Sequence, residues 1–405
     1  MKRYFLILML VAFAVPAFAA DEAVTVGTGN LQIGGILQSG FVYYVGQEQL
    51  DAANYKAVDR ASDMMFTVNR ARLLLGGAVI EDRVTYFTQL NFAHDSSAHM
   101  GDILLDLKLG FHYIPYTGIY VGRFMPKFTF FAPRHTGKLM LIDYPLMNQY
   151  PFTPQRGTGI DFGVKTTYLN ADLGVFNGRQ FFAPGTVGGD FTQPVGNVGW
   201  GDQNTAKDIF FNLVGKPPVE GLEIFAGLWY GTPLDGFEVE DGENTEHNAS
   251  AMFIDAGVAY MAPFGLTFVG ELLYGTIDWD SSSLASNYEN DRADDTYSLT
   301  TMSYYVLAGY NFGPMFEVPV ELLVRYDAFD PDTENDDETH PGSETDGLSD
   351  ITVGVNYYIK KHHAMLSLNY IHHGEEWEDV GNLAGDDTQD GIDNDEIKLQ
   401  ASVCF

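Results

Sequence analysis

The stretch Ile397-Lys398-Leu399-Gln400-Ala401-Ser402-Val403-Cys404-Phe405 decides how the rest of the chain is read. Ile397, Leu399, Ala401, Val403 and Phe405 alternate with Lys398, Gln400, Ser402 and Cys404, so one face is apolar and the other mostly polar. Successive side chains of a β-strand point to opposite faces, and strict period two therefore marks a strand with one dry and one wetter side. The same alternation recurs upstream. Ile103, Leu105, Leu107 and Leu109 oppose Leu104, Asp106, Lys108 and Gly110, and Leu222, Ile224, Ala226 and Leu228 oppose Glu223, Phe225, Gly227 and Trp229. Val318, Val320, Leu322, Val324 and Tyr326 oppose Pro319, Glu321, Leu323, Arg325 and Asp327, and Ile351, Val353, Val355 and Tyr357 oppose Thr352, Gly354, Asn356 and Tyr358. Charges confined to one face argue for a wet interior, which leaves the apolar face to meet lipid.

Short and long connections take turns between these strands. The short ones are Ile80 to Arg83, His112 to Thr117, Leu169-Asn170, Lys216 to Gly221, Ala262 to Gly265, Gly313 to Glu317 and Lys360 to His363. The long ones are residues 46–62, 93–100, 126–157, 178–206, 231–248, 278–297, 329–348 and 372–395. Seven short and eight long connections require sixteen strands, with both ends of the chain on the short-turn side. Short turns on one rim and long loops on the other are the layout of a bacterial barrel. The expected fold is all-β: a transmembrane antiparallel β-barrel of 16 strands, or 14 or 18 if one hairpin is misread, with one long loop folded inward to form a constriction.

The N-terminus sets the compartment. Lys2 and Arg3 precede an apolar run from Phe5 to Val15, Pro16 breaks it, and Ala17-Phe18-Ala19 supplies small residues for cleavage. This pattern is a secretory signal peptide, too short for a spanning helix. We expect residues 1–19 to be removed and residues 20–405 to form a single outer-membrane barrel domain. About ten residues separate Ala20 from the first strand, so no N-terminal plug domain is expected. The 126–157 loop remains as material for a plug. Composition agrees with a barrel: 43 Gly, 23 Tyr and 29 Phe accompany a mean hydropathy of −0.08, near zero because only alternate strand residues face lipid. The single cysteine, Cys404, rules out a disulfide framework. A terminal amphipathic strand ending in Phe405 resembles the signal read by the barrel-assembly machinery of bacterial outer membranes.

Several short segments carry a further resemblance. Asn69-Arg70-Ala71-Arg72-Leu73 lies on the second strand, Gly122-Arg123-Phe124-Met125-Pro126 closes the fifth, and Val175-Phe176-Asn177-Gly178 ends the seventh. Leu323-Val324-Arg325-Tyr326-Asp327 lies on the thirteenth strand and Gly354-Val355-Asn356-Tyr357-Tyr358 on the fourteenth. In order and spacing the chain from about Leu31 to Phe405 resembles the phosphate-selective porin O and P family. That resemblance implies a 16-stranded barrel, usually a homotrimer, that passes small anions. It does not by itself assign phosphate selectivity, and the family's phosphate-binding lysines cannot be placed on this loop residue by residue.

Charge bears on selectivity in two opposite ways. Residues 21–170 hold 12 Lys and Arg against 13 Asp and Glu, whereas residues 171–405 hold 8 against 42. The acids concentrate in long loops, at Asp235 to Glu246, Asp278 to Asp295, Asp330 to Asp346 and Glu375 to Glu396, where a negative mouth enriches cations. The longest loop, 126–157, carries Lys127, Arg134, His135, Lys138 and Arg156 against Asp143 alone. Arg70 and Arg72 lie two apart on one strand and Arg123 precedes the loop. Guanidinium groups pair well with phosphate and carboxylate oxygens. The candidate anion-attracting pore lining is therefore Arg70, Arg72, Arg123, Lys127, Arg134, Lys138 and Arg156; the plainer alternative pairs these bases with lumen acids such as Asp106 and Asp161. Five prolines and six aromatics in the same loop, from Pro126 to Pro154, would pin it in place.

Asp386, Asp387, Asp390, Asp393 and Asp395 surround Gly391 and form a weak candidate for Ca2+, against the plainer reading of a solvated acidic loop. They could equally meet lipopolysaccharide through bridging cations. No Gly-x-Ser-x-Gly, His-Glu-x-x-His or P-loop pattern occurs, so no enzyme, cofactor or nucleic-acid partner is expected. The expected activity is passive diffusion of small hydrophilic solutes or ions across a bacterial outer membrane. The alternatives are a cation-selective channel ruled by its acidic loops, or a plugged barrel acting as a surface adhesin.

Overall fold

The computed structural model describes residues 24–26, 29–45, 48–51, 56–59, 64–93, 103–149, 156–177, 207–231, 235–240, 243–280, 296–330, 333, 347–375 and 394–405. The wall consists of β1 (Gly29–Tyr44), β2 (Met64–Ile80), β3 (Val84–Asn91), β4 (Leu104–Phe111), β5 (Thr117–Phe124), β6 (Gly157–Lys165), β7 (Leu169–Asn177) and β8 (Lys207–Gly215). It continues with β9 (Leu222–Gly231), β10 (Glu243–Met261), β11 (Leu266–Asp280), β12 (Thr296–Asn311), β13 (Val320–Asp330), β14 (Leu348–Lys360), β15 (Ala364–Glu375) and β16 (Glu396–Cys404). Each strand pairs antiparallel with its neighbours in sequence, and β1 pairs with both β2 and β16, so the 16-strand sheet closes on itself. Closure leaves no unpaired edge, the condition for spanning a membrane with strands. Phe405 completes the seam: its N–H donates to the Gly35 carbonyl at 3.1 Å and its carbonyl accepts from the Gly35 N–H at 2.8 Å.

The alternation in the sequence becomes two surfaces. On β13, Leu322, Val324 and Tyr326 are exposed outward, while Glu321, Leu323, Arg325 and Asp327 are buried inward. On β14, Ile351, Val353 and Val355 point out and Thr352 and Asn356 point in. An exposed apolar band of this extent is untenable in water and is the lipid-facing girdle of a barrel. The inward face is not uniformly wet, which corrects the reading of the segment around Trp229. Phe225 and Trp229 on β9, Phe210 on β8, Phe253 on β10 and Tyr305 on β12 all point inward and are buried in one apolar cluster. Their partners are residues of the connection 125–156, termed here the lumen loop, whose residues 125–149 lie against the inner wall.

Three boundaries differ from those read in the sequence. The turn placed at Leu169-Asn170 lies at 166–168, because the Thr166 hydroxyl bonds both the N–H and the carbonyl of Leu169 and closes the hairpin there. The connection 231–248 contains a hairpin extension in which Asp235–Glu240 pairs with the start of β10. Its acidic side chains hid it, yet a strand above the membrane needs only backbone pairing. β13 begins at Val320 rather than Val318, since Gly313–Phe316 forms a helical turn capped by Glu317 in the left-handed region. The signal peptide lies outside the described residues.

Candidate functional site in the lumen

The lumen loop is tied to the wall strand by strand. Lys127 bridges Asp161 on β6 (3.1 Å) and Asp172 on β7. Burial draws its ammonium down, but the two carboxylates outweigh that and hold it above the ordinary lysine value. Thr129, at φ 63°, turns the chain, and its hydroxyl accepts from the Asn148 side-chain amide at 3.0 Å. Such a backbone is costly for a β-branched residue, so the surrounding bonds must hold it. Phe128 meets Trp229 edge to face at 6.0 Å, Phe130 stacks on Phe225 at 5.4 Å, and Phe131 lies 5.6 Å from Tyr305. The Phe130 N–H donates to Glu271 on β11 at 2.7 Å. Arg134 lies over the Phe130 ring and pairs with Glu223 on β9 at 3.0 Å.

The loop then descends. Residues Thr136–Lys138 form one 3-10 turn, and Arg72 on β2 donates to the Thr136 hydroxyl at 3.0 Å. Gly137 is pressed against Cys404 of β16, where any Cβ would stand 2.3 Å from the sulfur. Burial, partly opposed by Glu321, and the proximity of Lys138 hold His362, in the turn after β14, below the ordinary histidine value. The loop thus reaches the short-turn end of the barrel. On the way back, Asn356 donates to the Met140 carbonyl at 2.7 Å and Lys398 pairs with Asp143 at 2.9 Å. Arg325, almost fully buried and ion-paired with Asp327, donates to the carbonyls of Asp143 and Tyr144 at 2.9 and 3.1 Å. The Leu146 N–H donates to Asp327 at 3.3 Å.

The seven candidate basic residues divide. Arg70 donates to Gln38 at 2.7 Å and lies 5.8 Å from the Tyr144 ring centroid. A bulge opposite Gln38 and Ser39 restores the inward phase of β2, so that Arg70 and Arg72 sit opposite the inward residues Gln38 and Ile36. Arg156 makes two bonds to Asp106, at 3.1 and 3.4 Å. Arg70, Arg72 and Arg156 all act on the Tyr144 phenol: burial raises its pKa and the three guanidiniums only partly offset this. Lys127 and Arg134 are committed to wall carboxylates. Lys138 is exposed at the end of its turn, with no ion pair among the described residues. Arg123 does not join the others. Tyr120 and Phe124 point inward on β5, so Arg123 has the outward phase, opposite the outward-facing Leu107 and beside Thr158.

Arg325, Lys398, Glu271 and Asn356, the loop's main anchors, were not singled out in the sequence. Only their phase on alternating strands marked Arg325, Asn356 and Lys398 as inward, and nothing marked Glu271. Lys108 was also passed over; its ammonium lies 5.0–5.9 Å from the rings of Phe87, Tyr120 and Phe124, facing the lumen. Of the calcium candidates, Asp386, Asp387, Asp390 and Asp393 lie outside the described residues. Asp395 is bonded to Tyr370 and His372, and no group of three potential metal ligands occurs among the described residues.

Residues 238–403, which include β10 to β15 and all but the last residue of β16, match the family model described as phosphate-selective porin O and P. The matched span contains the β13 and β14 segments quoted above, while the segments on β2, β5 and β7 precede it. No curated protein matches the chain in sequence. Among solved structures, the outer membrane channel DcaP of Acinetobacter baumannii superposes with a TM-score of 0.62 at 10% identity, covering 93% of this chain and 97% of that one. An anion-selective porin from Comamonas acidovorans gives 0.57 at 13% identity over 93% and 100%. A trimer form of OmpT from Vibrio cholerae gives 0.52 at 10% identity over 94% and 100%. At such identities the likeness is one of fold, the porin barrel.

Proposed function

We propose that this chain is an outer-membrane porin of the phosphate-selective O and P type, a passive channel for small hydrophilic solutes that favours anions. The observation that carries this reading is the gathering of three guanidiniums, those of Arg70, Arg72 and Arg156, around Tyr144, with Asp106 bonded to Arg156 and Asp143, itself paired with Lys398, near Arg70. In a lumen walled by low-dielectric material such a surplus raises the local concentration of anions. Planar guanidinium donors suit the oxygens of phosphate or carboxylate, and no energy coupling is needed. The loop's aromatic side chains pack toward β8, β9 and β12, and in this reading solutes pass on the side where Arg70, Arg72, Arg156 and Lys108 lie.

The experiment is the reversal potential of the purified barrel in planar bilayers under a KCl gradient, repeated with added phosphate. Anion selectivity that shifts several-fold toward cations in the Arg70→Ala/Arg72→Ala double variant supports the proposal. Cation selectivity unaffected by that change favours the second reading, in which the acids of residues 171–405 govern the mouth. Block by phosphate would extend the family's substrate class to this chain.

The protein works as a homotrimer in this reading. What supports the assembly is the trimer form of OmpT from Vibrio cholerae, whose barrel this chain resembles in fold. Lipopolysaccharide and outer-membrane lipids surround the assembly.

A further inference from the structure

Away from the basic cluster, two carboxylates are sealed under the lumen loop. Asp255 on β10 is 0% exposed and Glu271 on β11 is 4% exposed. Glu271 stands opposite Gly257, so Asp255 is its diagonal neighbour on the same inward face. Glu271 uses one oxygen to accept the Phe130 N–H of the loop at 2.7 Å. Its other oxygen and both oxygens of Asp255 have no backbone or cationic donor among the described residues, and the groups that face Glu271 within reach are the Asp255 carboxyl and the Tyr305 phenol. Among the described residues the packing around the pair supplies no cation bonded to either carboxylate. On β9 the residue opposite Asp255 is Gly227, covered by the Phe128 ring. On β12, Tyr305 stands opposite Glu271, and beyond it on β13 are Asp327 and Arg325, bonded to each other. On the loop, Arg134 is committed to Glu223.

Two adjacent carboxylates in a dry site cannot both stay ionised; one keeps a proton and gives it to the other as a hydrogen bond. We propose that Asp255 and Glu271 share a single proton, and that this proton is a latch holding Phe130, and with it the lumen loop, against the wall. Asp255 carries the proton and donates it to the unused oxygen of Glu271, whose other oxygen still accepts from Phe130. Removal of the proton sets two like charges side by side among aromatic rings. Only water can relieve them, and water enters only when the Phe130 segment lifts. The loop is then a shutter that opens on the alkaline side. The inference concerns the loop and not the solute, and holds whichever ion the channel prefers.

The test has two readouts. Infrared spectra of the folded barrel at neutral pH, where exposed carboxyls are ionised, are expected to show the C=O band of a protonated carboxyl that is lost in Asp255→Asn. Single-channel conductance of the wild type is expected to rise from neutral to alkaline pH. Asp255→Asn supplies a permanent donor to Glu271 and is expected to keep the neutral-pH conductance throughout; heat-modifiable electrophoretic mobility reports that it folds. Glu271→Gln, which can still accept from Phe130, serves as a second proton mimic with the same expected flat profile. Absence of the band in the wild type, or an alkaline rise in both variants equal to that of the wild type, overturns the proposal whether or not the channel selects anions.

Discussion

The two halves of the lumen are built from opposite chemistry. On β8, β9 and β12 the inner wall is aromatic, and Trp229, Phe210, Phe225 and Tyr305 pack with Phe128, Phe130 and Phe131 of the loop into a core like that of a soluble domain, with the buried carboxylates and Arg325 of β10, β11 and β13 set beside it. Along β1 to β6 the inner wall is polar and charged, with Arg70, Arg72, Lys108 and Arg156 set among Asp106, Asp161, Gln38 and Gln89. The difference shows how one loop can serve a pore: it is held by burial on one side and presents charge to the other. Stability belongs to the aromatic half and selectivity to the basic half, and the halves should therefore respond to different substitutions.

The largest effect is expected from Arg325→Met. This change leaves Asp327 buried without its cation and strips two donors from the loop, at a cost of about 3–5 kcal/mol. Thermal melting of the heat-modifiable band should fall steeply, and channel noise should rise as the loop loosens. Phe128→Ala should follow, costing about 3–5 kcal/mol in full and less where the loop settles into the space, with ion selectivity nearly unchanged. A large change of selectivity in Phe128→Ala would break the division of labour. Arg156→Ala should lower the melting temperature less than Arg325→Met, since Arg156 is the more exposed cation, yet shift the reversal potential more than Arg70→Ala, because it removes a cation and also unmasks the buried Asp106. Equal shifts would mean that Asp106 does not act on ions in the path. Lys138→Gln should have the smallest effect, a modest fall in anion conductance at low salt that disappears when salt screens the site.

Much of the barrel could be read from the chain because its rule is local. Period two, the lipid face and the alternation of short and long connections place sixteen strands and the phases of Arg325 and Asn356 without tertiary information. The aromatic half could not be read in this way. Phe225 and Trp229 occupy the face opposite Ile224 and Leu228, and apolar residues on both faces of a strand say only that neither side is open water. The partner that dries the inner face is a loop more than ninety residues away in the chain. The basic cluster was partly legible. Two arginines on one face of β2 pointed inward, although it took a bulge to put them there. Arg123 faces out because phase along β5 is fixed by Tyr120 and Phe124, and adjacency to the loop in sequence carries no information about face. The pairing of Lys127, Arg134 and Arg156 with wall carboxylates depends on neighbours brought together only by closure.

The contacts of the turn Thr136–Lys138 carry a consequence for the order of assembly. This turn touches Arg72 on β2 and Cys404 on β16, the strands that flank β1 on either side of the closing seam. The seam joins residues at the two ends of the chain, as in the Gln38 to Ser402 bond, and pairings so distant in sequence form late. A loop that dips to the far rim and is gripped from both sides of the last joint is most easily seated before that joint is made. The nascent sheet would then curl around the loop as a mould curls around a casting, and the loop's aromatic stripe would supply an early nucleus for a barrel whose own strands offer lipid-facing side chains no partner until the membrane is reached.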